Sequence, residues 1–217
     1  MTSALEARDV RVRFGEQAVL RGFSLALGPG EKALLTGPSG CGKSTVLRCF
    51  LGFVVPEAGS VHIEDKELTP VSVWPLRRRI AYVAQEPDLG TGTAMEALER
   101  PFHYRANSAL RGNLDRVLEW FERFRLDRDL LRKDVGDLSG GEKQRIALIS
   151  AILLDRPIFL LDEITSALDK TSKQAVAEYF RSRQDVTMLV VAHDPEVFSF
   201  VSHVVELPGS PKVGGAV

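Results

Sequence analysis

Cysteine is nearly missing from these 217 residues: there are two, Cys41 and Cys49, eight positions apart. A pair placed across a loop and its following helix does not form the disulfide framework of a small secreted domain, so a reducing compartment is expected. Long apolar runs are missing too. The longest, such as Ala147 to Leu154, fall far short of the roughly 18 residues that a membrane-spanning helix needs. Any membrane role therefore calls for a second chain, and no basic-then-apolar leader stands at the start. Neither charge predominates. The 28 Lys and Arg side chains nearly balance 29 Asp and Glu, and the formal net charge of -1 gives no global field toward nucleic acid or acidic lipid. No nucleic-acid partner is expected. Internal repeats, low-complexity linkers and metal-ligand clusters are also missing.

What is present suits one large α/β domain with a small inserted lobe. Residues 5–27 alternate polar and apolar side chains through Val10, Val12 and Phe14, then from Val19 to Leu27, which predicts an antiparallel β layer ending at Gly28-Pro29-Gly30. Lys32 to Thr36 reads as a short strand, Lys43 to Leu51 as a helix and Arg79 to Val83 as another strand. From Glu86 to Asp137 the apolar spacing turns helical, as in Leu114, Val117, Leu118, Phe121 and Phe124. The strand runs Pro157 to Leu161 and Val186 to Ala192 flank a helical stretch, Lys170 to Arg183, as in a right-handed βαβ crossover. The expectation is one domain over 1–217. Its mainly parallel core comes from residues 1–85 and 138–217, its α-helical lobe is 86–137, and Gly209 to Val217 is a polar, glycine-rich tail.

Three segments carry chemistry. The first, Gly37-Pro38-Ser39-Gly40-Cys41-Gly42-Lys43-Ser44-Thr45, follows a strand and opens a helix. Its glycines let backbone amides turn onto phosphate oxygens at a helix N-terminus, with Lys43 reaching the β- and γ-phosphates and Ser44 a Mg²⁺ ion. The second is Asp162-Glu163 at the end of the apolar run from Ile158, where a carboxylate is costly unless it meets a cation or does chemistry. The plain alternative is a strand leaving the core into solvent. The third is Leu138-Ser139-Gly140-Gly141-Glu142-Lys143-Gln144-Arg145. Ser139 and Glu142 fit a capping box, but two consecutive glycines are unfavourable near a helix start unless a ligand comes close to the backbone.

These segments, in this order, resemble an ABC-type ATPase, a likeness that runs from Phe14 to His193. The resemblance implies the phosphate-loop fold of that family, binding of ATP and Mg²⁺, and hydrolysis. By the same resemblance Asp162 holds Mg²⁺ through water and Glu163 polarises the attacking water. Gln85 contacts the metal or that water, His193 reaches the γ-phosphate beside Glu163, and Phe14 stacks on adenine. Ser139, Gly140 and Gly141 cap the γ-phosphate of ATP held by a second copy, which implies an ATP-dependent homodimer. Asp169, at the end of Ser166-Ala-Leu-Asp169, lies at the dimer seam and also suits a helix cap. Ile164 departs from the proline that most relatives carry after the glutamate. Asp-Glu-Ile-Thr-Ser-Ala-Leu-Asp169 together with Leu35-Thr-Gly-Pro-Ser-Gly-Cys-Gly-Lys-Ser-Thr45 is similar to the ATPases of bacterial iron exporters with a separate membrane chain.

The implied function is the ATP-binding subunit of a transporter, at the cytoplasmic side of the plasma membrane and joined to a separate transmembrane permease. Residues from Gln85 to about Asn113 are the expected contact surface, with Pro101, Phe102 and Tyr104 as candidates to line a groove or to pack locally. Oxidation of Cys41 is expected to block ATP. A soluble relative acting in DNA maintenance or translation would carry heptad insertions, a second cassette or basic arms. A small-molecule kinase would leave Ser139 to Glu142 without a purpose.

Overall fold

The computed structural model describes residues 2–208, so the tail from Gly209 to Val217 lies outside the described residues. Two sheets form. The first has strand order β2-β1-β4-β5, built from β1 (Leu5–Phe14), β2 (Gln17–Leu27), β4 (Ala58–Ile63) and the two-residue β5 (Lys66–Glu67), with every pairing antiparallel. The second has order β6-β7-β8-β3-β9, from β3 (Lys32–Thr36), β6 (Ile80–Val83), β7 (Ile158–Asp162), β8 (Thr187–Val191) and β9 (His203–Glu206), with every pairing parallel.

The parallel strands read as nearly unbroken apolar runs because both faces of their sheet are covered. Their side chains alternate between two cores. Ala33, Leu35, Ile158, Leu160, Leu189 and Val191 join one core, with α1 (Lys43–Phe50), the antiparallel sheet and Leu76 of the short α2 (Val73–Arg77). Leu34, Phe159, Leu161, Met188 and Val190 join the other, shared with α5 (Gly140–Leu153) and α6 (Lys170–Ser182). A one-residue slip in register would exchange the two sets, so the register is firmly specified.

Strands β4, β5 and β9 are not visible in the sequence pattern. β9 is mostly exposed and β5 is two charged residues, so neither offers an apolar signal. The stretch from 86 to 137 differs more from expectation. It holds two short α-helices, α3 (Ala94–Glu99) and α4 (Val117–Arg123), and much of the rest is 3-10 helix, including Arg105–Arg116. The sequence RANSALRGNLDR carries a glycine and two asparagines, residues of low helix propensity, and the asparagine side chains tie the segment to its neighbours. Asn107 donates to the Pro101 carbonyl at 2.8 Å and Asn113 to the Leu153 carbonyl at 2.8 Å. Val117, Phe121 and Phe124 are buried as their spacing suggests, whereas Leu118 faces solvent. Aromatic side chains join this stretch to α6: Trp120 packs edge-on against Tyr179 at 5.3 Å, and Phe124 lies 6.3 Å from the same ring. Of the two aromatics expected near a groove, Tyr104 is exposed; Phe102 is fully buried, so it is core and lines no groove.

Candidate active site

Parallel strands place their carboxyl ends on one rim, the usual seat of ligands in open α/β sheets. Here Asp162 pairs with Val191, Leu161 with Val83, and Leu35 with Val191. The loops that follow β3, β6, β7 and β8 carry Gly37 to Gly42, Gln85, Glu163 and His193, so four parts of the sequence meet there.

The phosphate loop owes its shape to Gly37, Gly40 and Gly42, at φ 141°, 75° and 106°. Gly37 and Gly42 are also confined. A Cβ on Gly37 would stand 2.5 Å from the Leu207 carbonyl oxygen, and one on Gly42 2.8 Å from Val19 Cγ1. Pro38, Ser39 and Gly40 form the crown, with Ser44 and Thr45 partly buried in the first turn of α1. Lys43 is buried, and its ammonium donates to the carbonyls of Gly37 at 2.9 Å and Pro38 at 3.0 Å. The cation thus lies inside its own loop and can exchange these carbonyls for phosphate oxygens. Cys41 is 2 % exposed and lines a cavity with Val19, Leu20 and Leu207, so the oxidation expected to block ATP would have to reach a buried thiol.

At the end of β7 the two acids meet opposite surroundings. Asp162 is 5 % exposed and its Oδ1 has no hydrogen-bond partner. Burial pushes its carboxyl above the usual carboxylate range, and the Ser44 hydroxyl acts in the opposite direction. A buried acceptor of this kind beside a hydroxyl and an ammonium fits a cation site. Glu163, in contrast, has both oxygens engaged. Gln85 Nε2 donates to Oε2 at 2.8 Å, and His193 Nε2 lies 2.8 Å from Oε1. Its backbone sits at φ 48°, a strained conformation for a residue with a side chain. The Glu163 amide donates to the Val191 carbonyl at 2.9 Å and the Ser166 hydroxyl to the Glu163 carbonyl at 2.9 Å, while Ile164 and Thr165 are buried beneath. Those anchors hold the strained turn.

The Ser139 turn stands apart from this cluster. Ser139 caps α5 in a reciprocal capping box with Glu142: the Ser139 amide donates to Glu142 Oε2 at 2.7 Å and the Glu142 amide to Ser139 Oγ at 3.3 Å. The two glycines have different reasons. A Cβ on Gly141 would lie 2.7 Å from the Ala167 carbonyl oxygen, so Gly141 is required by packing, whereas Gly140 has its nearest neighbour at 3.9 Å. Only Gly140 is therefore open to the close approach of a ligand. A cavity of about 410 Å³ is lined by Gln85 and Pro87 together with Gly140, Gln144 and Ala167. Asp169 caps α6, accepting from the amides of Thr171 and Ser172, each at 2.9 Å, and from both their hydroxyls. These bonds hold its carboxyl far below the usual range. Phe14 is 53 % exposed at the end of β1, so it is free to stack and is not a core aromatic.

Two residues of the same run have no role in the sequence reading and acquire one here. Gln144 is buried and donates to the Ala84 carbonyl at 3.1 Å, holding the strand end that presents Gln85. Arg145 donates to three backbone carbonyls and one hydroxyl. A glutamine amid the apolar positions of a helix is the available signal.

Known proteins resemble this chain in sequence and in fold. The ABC transporter family matches residues 20–166. "Probable iron export ATP-binding protein FetA" of Escherichia coli is 35% identical over 207 residues, 94% of this chain and 90% of that protein. "Methionine import ATP-binding protein MetN" of Brucella abortus is 35% identical over 200 residues, 89% of this chain but 54% of the relative. Among solved structures, the dimeric MJ0796 cassette of a bacterial ABC transporter superposes with a TM-score of 0.82 at 28% identity, covering 94% of each chain. A dimeric post-hydrolysis state of MJ0796 bound to ADP and Pi gives a TM-score of 0.78 at 27% identity, covering 95% of this chain and 97% of the other.

Proposed function

Because the chain belongs to the ABC transporter family, we propose that it is an ATP-hydrolysing subunit that drives a transporter whose membrane-spanning part is a separate chain. The observation that carries this reading is the meeting of Gln85 and His193 on Glu163, at strand ends beside the phosphate loop and the buried Asp162.

In this reading the amides of the Gly37 to Gly42 loop and the N-terminus of α1 bind the phosphates. Lys43 leaves the Gly37 and Pro38 carbonyls for the β- and γ-phosphate oxygens. Ser44 and Asp162 are the residues that would hold Mg²⁺, which when bound neutralises charge on the phosphates. Glu163 accepts the proton of the attacking water, and Gln85 and His193 fix its carboxylate until the γ-phosphate draws His193 away. Phe14 supplies a face for adenine. Ser139 and Gly140 act on ATP held by a second copy, a reading supported by the family resemblance of this turn and by the dimeric cassettes the chain superposes on. ATP thereby closes a homodimer, and hydrolysis opens it.

The membrane chain would dock beside the loop that Gln85 begins. A groove of about 350 Å³ runs along the edge strand β6, walled by Pro87, Leu89, Pro101, Ala151 and Leu154. Phe53 and Trp74 are also exposed, and the Arg77 guanidinium stacks on both rings, which offers a second candidate contact. Among the described residues no helix is long and apolar enough to cross a membrane, and no group of metal-ligating side chains is found. Substrate choice is assigned to the membrane chain, and the likeness to FetA favours export of iron or another metal. The protein would work at the cytoplasmic face of that membrane.

Purifying tagged Glu163→Gln protein with MgATP from detergent-solubilised native cells, and identifying what accompanies it by mass spectrometry, tests the reading. A stoichiometric polytopic membrane protein is expected. Recovery of ribosomal or DNA-repair proteins alone would contradict it.

A further inference from the structure

Arg145 sits in the second turn of α5, and its guanidinium touches three separate elements. Nε donates to the Gly141 carbonyl at 3.1 Å, inside the Ser139 turn. Nη1 faces the carbonyls of Phe124 at 3.2 Å and Arg125 at 3.3 Å, the free carbonyls at the end of α4, where a helix dipole favours a cation. Nη1 also lies 3.1 Å from the Ser172 hydroxyl on α6. Among the described residues Arg145 forms no salt bridge. Its guanidinium instead orients backbone and hydroxyl groups.

Ser172 carries the connection further. It is 1 % exposed, and its hydroxyl donates to Asp169 Oδ2 at 2.8 Å. With its one proton directed to the carboxylate, the Ser172 oxygen turns a lone pair to Arg145. The order Arg145, Ser172, Asp169 is thus fixed by donor and acceptor chemistry. A second tie runs alongside, because the Ala167 carbonyl packs so closely on Gly141 that a Cβ there would lie at 2.7 Å. Both ties link the start of α5 to the loop between Glu163 and Asp169.

We infer that Arg145 is a positioning residue that, through Ser172, holds the Ser139 turn at a set offset from the Glu163–Asp169 loop. Its importance rests on the composite dimer proposed above. In that dimer the Ser139 turn serves the second copy's ATP while Glu163 serves the chain's own, so the Arg145 tie fixes one half-site of the protein relative to the other. Lysine cannot replace it, since three of the four contacts come from the one nitrogen Nη1 and the fourth, from Nε to the Gly141 carbonyl, needs a second donor that lysine lacks.

The test compares Ser172→Ala and Arg145→Lys with the parent, each also combined with Glu163→Gln. MgATP affinity of the monomer should stay near the parent's, because neither residue touches the chain's own phosphate loop, and the melting temperature should fall only modestly, as the loss of one buried hydrogen bond requires. The MgATP-dependent dimer of the Glu163→Gln protein should weaken by about tenfold, the effect of one hydrogen bond. In the active background kcat should fall by a similar factor with KM unchanged, and Ser172→Thr, which keeps the hydroxyl, should restore much of it. Parent-like dimer affinity and kcat in both variants would overturn the inference, as would an equal loss of monomer nucleotide binding. Failure of Glu163→Gln itself to dimerise with MgATP is a distinct result, and would remove the composite dimer and this inference together.

Discussion

Asp162 and Glu163 are adjacent in sequence and opposite in circumstance: the first is buried with a bare oxygen, the second is bonded through both oxygens to Gln85 and His193. Their roles separate accordingly. Asp162→Asn should lower ATP affinity at least about tenfold in Mg²⁺ and leave affinity in chelator unchanged, as read by nucleotide titration. Burial raises the Asp162 pKa, and its carboxyl must be ionised to hold a cation. The Mg²⁺-dependent part of ATP affinity should therefore be complete above that raised pKa and lost as pH falls through it, and titration of Asp162→Asn should show no such fall. Glu163→Gln should reduce kcat by roughly 10²- to 10⁴-fold while retaining ATP, as steady-state assay and binding would show. At this scale the sequence is informative wherever a costly residue stands in a telling place, as with acids ending an apolar strand. It is silent on the positive φ of Glu163 and on the reach of Arg145, because both depend on neighbours far along the chain.

The helix start at Ser139 shows what one element can reveal about two like residues. Gly141→Ala must push the Ala167 carbonyl aside, at a cost of about 1–3 kcal/mol, seen as a lower melting temperature. Gly140→Ala has room for its methyl and should melt at or above the parent temperature, since alanine favours helix. If Gly140 is open for a ligand, that stable variant should still lose ATPase activity, and full activity in it would remove the ligand from the explanation. The legibility of elements follows their burial. Strands β3, β7 and β8, covered on both faces, announce themselves as apolar runs. The exposed β9 carries little apolar signal, and in the 3-10 segment Arg105–Arg116 the side chains of Asn107 and Asn113 reach the Pro101 and Leu153 carbonyls, contacts no local pattern announces.

Across the whole molecule, alternating side chains of one parallel sheet fill two cores and leave a rim where nucleotide chemistry collects. The α/β class, the antiparallel layer and the order of motifs are legible in the amino-acid pattern alone. The offset between the Ser139 turn and the rim cluster is not, since it is set by packing of α5 and α6 and by contacts such as Gly141 on Ala167. The site proposed above is completed by a second copy. The most direct test is light scattering of Glu163→Gln protein with MgATP, alone and combined with Ser139→Arg, together with counts of bound nucleotide. A composite site predicts a dimer holding one ATP per chain, and, once Ser139→Arg is added, a monomer that still binds one ATP. A Glu163→Gln protein that stays monomeric with MgATP bound, or a dimer that survives Ser139→Arg, would contradict it.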